Sequence, residues 1–108
     1  MDRPSLEARR LAFDAELRAL LNTNNTYFEP PDNVRMKYPC VVYSRIGIYD
    51  LRADDLRYHD RQRFSATTID TNPDTNWPQM ILDHFPYSRF DRSYNADNLA
   101  HNVITIYY

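Results

Sequence analysis

Two stretches of this chain carry apolar residues at helical spacing, and four shorter tracts read as strands. From Ser5 to Asn22, Leu6, Phe13, Leu17, Leu20 and Leu21 fall on one stripe, while Glu7, Arg9, Glu16 and Arg18 lie off it. That spacing predicts an amphipathic helix packed on a core. Pro4 or Ser5 can start it, and Asp14 and Arg18 form a favourable i,i+4 pair. The run Asn22-Thr23-Asn24-Asn25 stops it, because these side chains compete for helical hydrogen bonds. Thr26 to Lys37 is a polar connector, with Pro30-Pro31 holding the backbone extended.

Tyr38 to Ser44 is the first predicted strand, with Pro39 near its start where a missing N–H is tolerated. Ile46 to Leu51 either continues it or bends away at Gly47. Phe64 to Ile69, rich in β-branched residues, is the second. Between them Arg52, Asp54, Asp55, Arg57, Asp60, Arg61 and Arg63 mix both signs of charge, which predicts a long hairpin with a charged tip. Asp70 to Asn76 is a turn cluster. Pro78 suits the first turn of a short helix whose apolar side is Met80, Ile81, Leu82 and Phe85, ending before Pro86. Ser88 to Tyr94, a turn at Asn95 to Asn98, and Asn102 to Tyr108 complete the chain. The last tract, Val103-Ile104-Thr105-Ile106-Tyr107-Tyr108, is apolar and β-prone, so it should be buried in a sheet or against a partner. The order helix, strand, strand, helix, strand, strand predicts an α+β domain: a mainly antiparallel sheet of about four strands with two helices on one face and an extended charged hairpin.

Composition narrows the function. The 108 residues suffice for one domain with a single core. The lone glycine, Gly47, excludes glycine-rich phosphate or dinucleotide loops, which need several. A net charge of −2, with Lys37 the one lysine, argues against nucleic-acid binding as the main function, since that binding rests on phosphate neutralisation. Nine tyrosines suit half-buried sheet faces and protein interfaces. Cys40, alone in an apolar strand, reads as a small buried hydrophobe and not a nucleophile. No signal peptide or long apolar run is visible, so a soluble protein made in a cytoplasm, with no membrane contact, is expected.

Candidate chemistry is sparse. His59, Asp60, Asp54, Asp55, His84, Asp91, Asp97 and His101 are the residues from which a metal or acid/base site could be built, its best version being Asp91 facing Asp97 across the last hairpin with His101 nearby. Nothing in their spacing enforces convergence, and turn-capping Asp and surface His account for them as well. No catalytic residues, metal ligands or cofactor are therefore expected. The mixed charges Arg52, Asp54, Asp55, Arg57, Asp60 and Arg61 suit either a solvated loop or a subunit or partner interface.

Four blocks, Tyr38-Pro39-Cys40-Val41-Val42-Tyr43, Asp70-x-x-Pro73-Asp74, Phe90-Asp91-Arg92-x-Tyr94 and Asp97-Asn98-Leu99-x-His101-x-Val103, together resemble the tail terminators of long non-contractile-tailed bacteriophages, also called tail-completion or tail-to-head joining proteins. The resemblance runs from about Tyr38 to Tyr108, with Phe90, Asp91, Arg92, Asp97 and Asn98 as its structural motif. It implies a non-enzymatic virion subunit that assembles as a hexameric ring at the head-proximal end of the tail. Such a ring caps the tail tube, stops its polymerisation and offers a surface to the head-completion or connector protein, with DNA only in transit through the opening. Another neck or connector component is the alternative within that class, and a small metal-dependent hydrolase is the alternative outside it.

Overall fold

The computed structural model describes residues 5–48 and 61–108, and within them the chain forms an α+β domain. Helix α1 spans Leu6–Leu21, β1 Thr26–Phe28, β2 Cys40–Ile48, β3 Gln62–Asp70, α2 Trp77–His84, β4 Ser88–Ala96 and β5 Leu99–Tyr107. Ser5 caps α1 by accepting from the Ala8 N–H at 3.0 Å. At the other end Asn22 takes the left-handed conformation (φ 52°, ψ 53°) and returns its N–H to the Arg18 carbonyl. Phe13, Leu17 and Leu21 form the buried stripe expected of α1. Leu6, expected on that stripe, is instead exposed in the first turn, where its carbonyl accepts from Gln62 Nε2 at 3.2 Å. Pro78 stands in the first turn of α2 and Ile81 is its fully buried residue.

The strands form one sheet in the order β1-β2-β3-β5-β4. Pairing is antiparallel throughout except for β1, which lies parallel to β2 with Thr26 opposite Val41. The sheet therefore has five strands and is mixed. The extra strand comes from the segment expected to be a connector, and at three residues it carries too little periodicity to be read from sequence. β2 does continue past Gly47, through a bulge between Arg45 and Gly47.

Alternation along the strands sends Val41, Tyr43, Phe64, Ala66, Ile104 and Ile106 to one face, where they meet Phe13, Leu17 and Leu21 of α1 and Ile81 and Phe85 at α2. Both helices thus cover the same face. Phe13 is the hub: its ring stacks on Phe64 at 4.6 Å and meets Tyr43, Phe85 and Tyr108 at 5.2–5.4 Å. The C-terminal tract is sheet-bound as expected. Val103 to Ile106 are buried in β5, and Tyr108 exchanges two backbone hydrogen bonds with Gln62.

Candidate interaction surface

The resemblance-carrying residues of the last hairpin have distinct structural jobs. Asp97 and Asn98 are both left-handed, at φ 53° and 62°. Two consecutive positive φ values make the two-residue turn whose twist matches that of its flanking strands, here built without glycine. Asp91 is the extra residue of a bulge, because the β4–β5 register shifts between Phe90 and Arg92. Its carboxylate accepts from Thr105 Oγ1 across the pair and from Arg89 Nε at 3.1 Å, which fixes the bulge. Tyr94 stacks on His101 with centroids 4.7 Å apart and planes within 14°, and the Arg92 guanidinium sits 5.6 Å from the Tyr94 ring.

The Asp70 turn adjoins this hairpin. Asp70 accepts from the Asn72 N–H and Asn72 from the Asp74 N–H, both at 2.9 Å, so two successive Asx turns shape it. Thr71 and Pro73 then line one open depression with Asn95, Asp97 and Asn98. Two blocks of the sequence, about 25 residues apart along the chain, are neighbours in the fold.

The acid/base arrangement expected as the best version of a metal site does not form. Asp91 and Asp97 do not face each other: Asp91 lies at the bulge in β4 and Asp97 in the turn that follows it, six residues along the same arm. Asp91 is engaged by Thr105 and Arg89, and His101 by Tyr94 and the Leu99 carbonyl, 3.0 Å from Nδ1. His84 lies 3.5 Å from Glu16 on the neighbouring helix. Among the described residues, no group of three or more His, Cys, Asp or Glu is placed to hold a metal ion. Cys40 is fully buried, and that burial pushes its thiol up to about 11, as befits a packing residue.

Of the charged candidates, Arg52, Asp54, Asp55, Arg57 and Asp60 lie outside the described residues. Arg61 is described, with its guanidinium 4.4 Å over the Tyr87 ring just before β4. Arg63 donates to the Ile46 carbonyl at 3.3 Å.

The surface that sequence reasoning did not single out is β4 itself. It closes one side of the sheet, and every residue from Arg89 to Asn95 is exposed. Phe90 is 47% exposed and Tyr94 42%. Register places Phe90 beside Ile104, on the helix side, and Tyr94 beside His101 on the other face. A signal was present: Ser88 to Ala96 lacks the apolar/polar alternation of a strand covered on one face. No helix among the described residues is long and apolar enough to cross a membrane. No family model, curated protein or solved structure matches the chain.

Proposed function

We propose that this chain is a structural, non-enzymatic tail terminator: a subunit of a ring, hexameric by the resemblance, that caps a phage tail tube and presents a surface to the head connector. The observation that carries the reading is the last hairpin. Its motif residues build a bulged edge strand, exposed from Arg89 to Asn95, and a glycine-free turn, features suited to assembly and not to turnover. The Asp70 turn, a second block of the resemblance, adjoins it. A ring needs a head-to-tail interface with two different surfaces, and the charged segment between β2 and β3 supplies a second candidate. The net charge of −2 suits a channel through which DNA slides without being held.

The partners of this reading are further copies of the chain, the tail tube protein and a head-completion protein, with a place at the head-proximal end of the virion tail. Deleting the gene should give aberrantly long tails or heads and tails left unjoined. Tails of normal length joined to heads would overturn the proposal. Purified protein should bind isolated tail tubes in preference to DNA-filled heads, and the reverse preference would make it a different neck component.

A further inference from the structure

We infer that the free edge of β4 in one copy seats against the opposite border of the sheet in the next copy, at Arg45 to Ile48 of β2. This rests on the ring-forming reading above and deepens it by naming both surfaces of the contact.

β4 supplies the first surface. It is nine residues long and pairs on one side only, with β5. Its other side offers backbone donors and acceptors to an incoming strand, the geometry of β-augmentation. Exposed Phe90 flanks this edge on the helix side and exposed Tyr94 on the other. Arg89 and Arg92 share the Tyr94 face, since they pair with Thr105 and Val103. Asp91, the one acidic side chain of the strand, is already engaged by Arg89 and Thr105. The second surface is the far border of the sheet, which is stepped. β1 lies along β2 only from Val41 to Tyr43, whereas β2 stays paired with β3 on its other side as far as Ile48. The end of β2 therefore projects beyond β1, and it carries Ile46 and Ile48, 46% and 60% exposed. Ile48 is on the helix side: it pairs with Gln62, whose amide reaches the Leu6 carbonyl of α1. Exposed Glu29 sits in the step, its carboxylate accepting from the Arg45 N–H at 3.2 Å, while the Arg45 guanidinium is turned to Gln62.

The two borders match in direction, face and charge. β2 is antiparallel to β3, β3 to β5 and β5 to β4, so β4 runs opposite to β2. A neighbour in the same orientation thus offers β4 an antiparallel strand and keeps its helices on the same face of the continued sheet. On that face Phe90 of one copy meets Ile48 of the next, and each covers apolar surface that the single subunit leaves open. Arg89 and Arg92 meet a border that carries Glu29. Pairing β4 with β4 of a second copy would instead set the arginines of both strands against each other and close a two-fold dimer. The head-to-tail contact repeats, and a ring built on it leaves no β4 edge open.

Cross-linking in the full chain tests the contact. Ile48→Cys and Ser93→Cys are made as separate variants and mixed under mild oxidation, while buried Cys40 stays out of exchange. Ser93 is exposed and, next to Arg92 and Tyr94 of the opposite face, lies on the helix side as Ile48 does. A disulfide dimer that forms in the mixture and in neither variant alone is the expected result. The double variant should link into a ladder that stops at the copy number of the ring. A Ser93→Cys dimer formed alone would mean that β4 pairs with β4, and would overturn the inference. Rings that assemble without the mixed disulfide would overturn it too and leave the ring reading standing. Failure of the unsubstituted protein to form any oligomer would sink the ring reading itself, and this inference with it. Independently, Ile48→Asp should raise the concentration for half-assembly about tenfold while leaving the urea midpoint of the monomer unchanged. Arg92→Glu should weaken assembly as well, and adding Glu29→Arg should recover most of that loss. Unchanged assembly in Ile48→Asp would count against the inference.

Discussion

Asp14 joins three elements through one carboxylate. It takes an ion pair from Arg18 at 2.7 Å, accepts from Thr26 Oγ1 at 3.1 Å and accepts the Tyr43 phenol. Helix α1 is thereby fixed to β1 and β2, and the short parallel strand gains a side-chain anchor its backbone pairs alone would not give. Hydrogen bonds to a charged group contribute about 1.5–3 kcal/mol, so Tyr43→Phe should lower stability by about that much in urea unfolding. The same site predicts a pH dependence. Burial, then the bond to Asp14 and its charge, raise the Tyr43 phenol above its ordinary 10.0. Burial, then Glu16, push Tyr108 up to about 12. Burial alone takes Cys40 from 9.0 to about 11. The folded groups keep their protons where the unfolded chain sheds them, so unfolding releases protons and stability falls as pH rises. These groups contribute fully below about pH 9; the Cys40 and Tyr108 contributions are lost from there to about pH 12, and that of Tyr43, raised further, persists beyond. Urea midpoints at pH 8, 9, 10 and 11 should decline accordingly, and Tyr43→Phe should flatten the slope above pH 10. An identical slope in that variant would remove Tyr43 from the account.

At the scale of elements, the last hairpin depends on a turn that few residues tolerate. Asn98, at φ 62°, should accept glycine with a change within about 1 kcal/mol. Valine there should cost about 1–2 kcal/mol or more, because a β-branched side chain resists the left-handed region. Comparing the two variants in thermal or urea unfolding separates backbone strain from loss of the Asn side chain. The turn was legible in the sequence because Asn95 to Asn98 concentrates turn-forming residues between strand-like tracts, as were α1 and α2 from their periodicity and the four long strands from their β-prone residues and the turns that bound them. Three features were not. β1 is too short to have a period. The bulge at Asp91 depends on Thr105, fourteen residues away, which no local pattern announces. Asp91 and Asp97 do not pair because the turn is a tight two-residue one with Asp97 at its first position, six residues along the same arm from Asp91, which is turned instead to Thr105. Gly47 was a partial success: a strand does pass through it, and the Arg63 guanidinium lies 3.1 Å from where a Cβ would stand. Since that is the far end of a flexible side chain, the glycine relieves crowding and not backbone strain.

The whole molecule has an asymmetry that bears on assembly. Both helices cover one face of the sheet, while the other face carries the half-buried Val42, Ser44, Ser65 and Thr67 beside the stacked Tyr94 and His101. A domain with one covered face and one long open edge can fold alone and still carry surfaces for neighbours. This separates two quantities that a mutation can move independently. Reversing Arg57 and Arg61 to Glu alters charge in the segment proposed to contact the next subunit. Arg57 lies outside the described residues, while the half-buried Arg61 stacks on Tyr87, a contact worth about 0.5–2 kcal/mol. The double variant should therefore lose about 2 kcal/mol or less in urea unfolding of the monomer. Its assembly should weaken more, by about tenfold or beyond, because complementary charge across an interface governs encounter and register. Native mass spectrometry over a dilution series, run beside the unfolding curves, reads both. Assembly unchanged in the variant would dismiss the charged segment as an interface, and equal losses in folding and assembly would show that its arginines serve the subunit and not the ring.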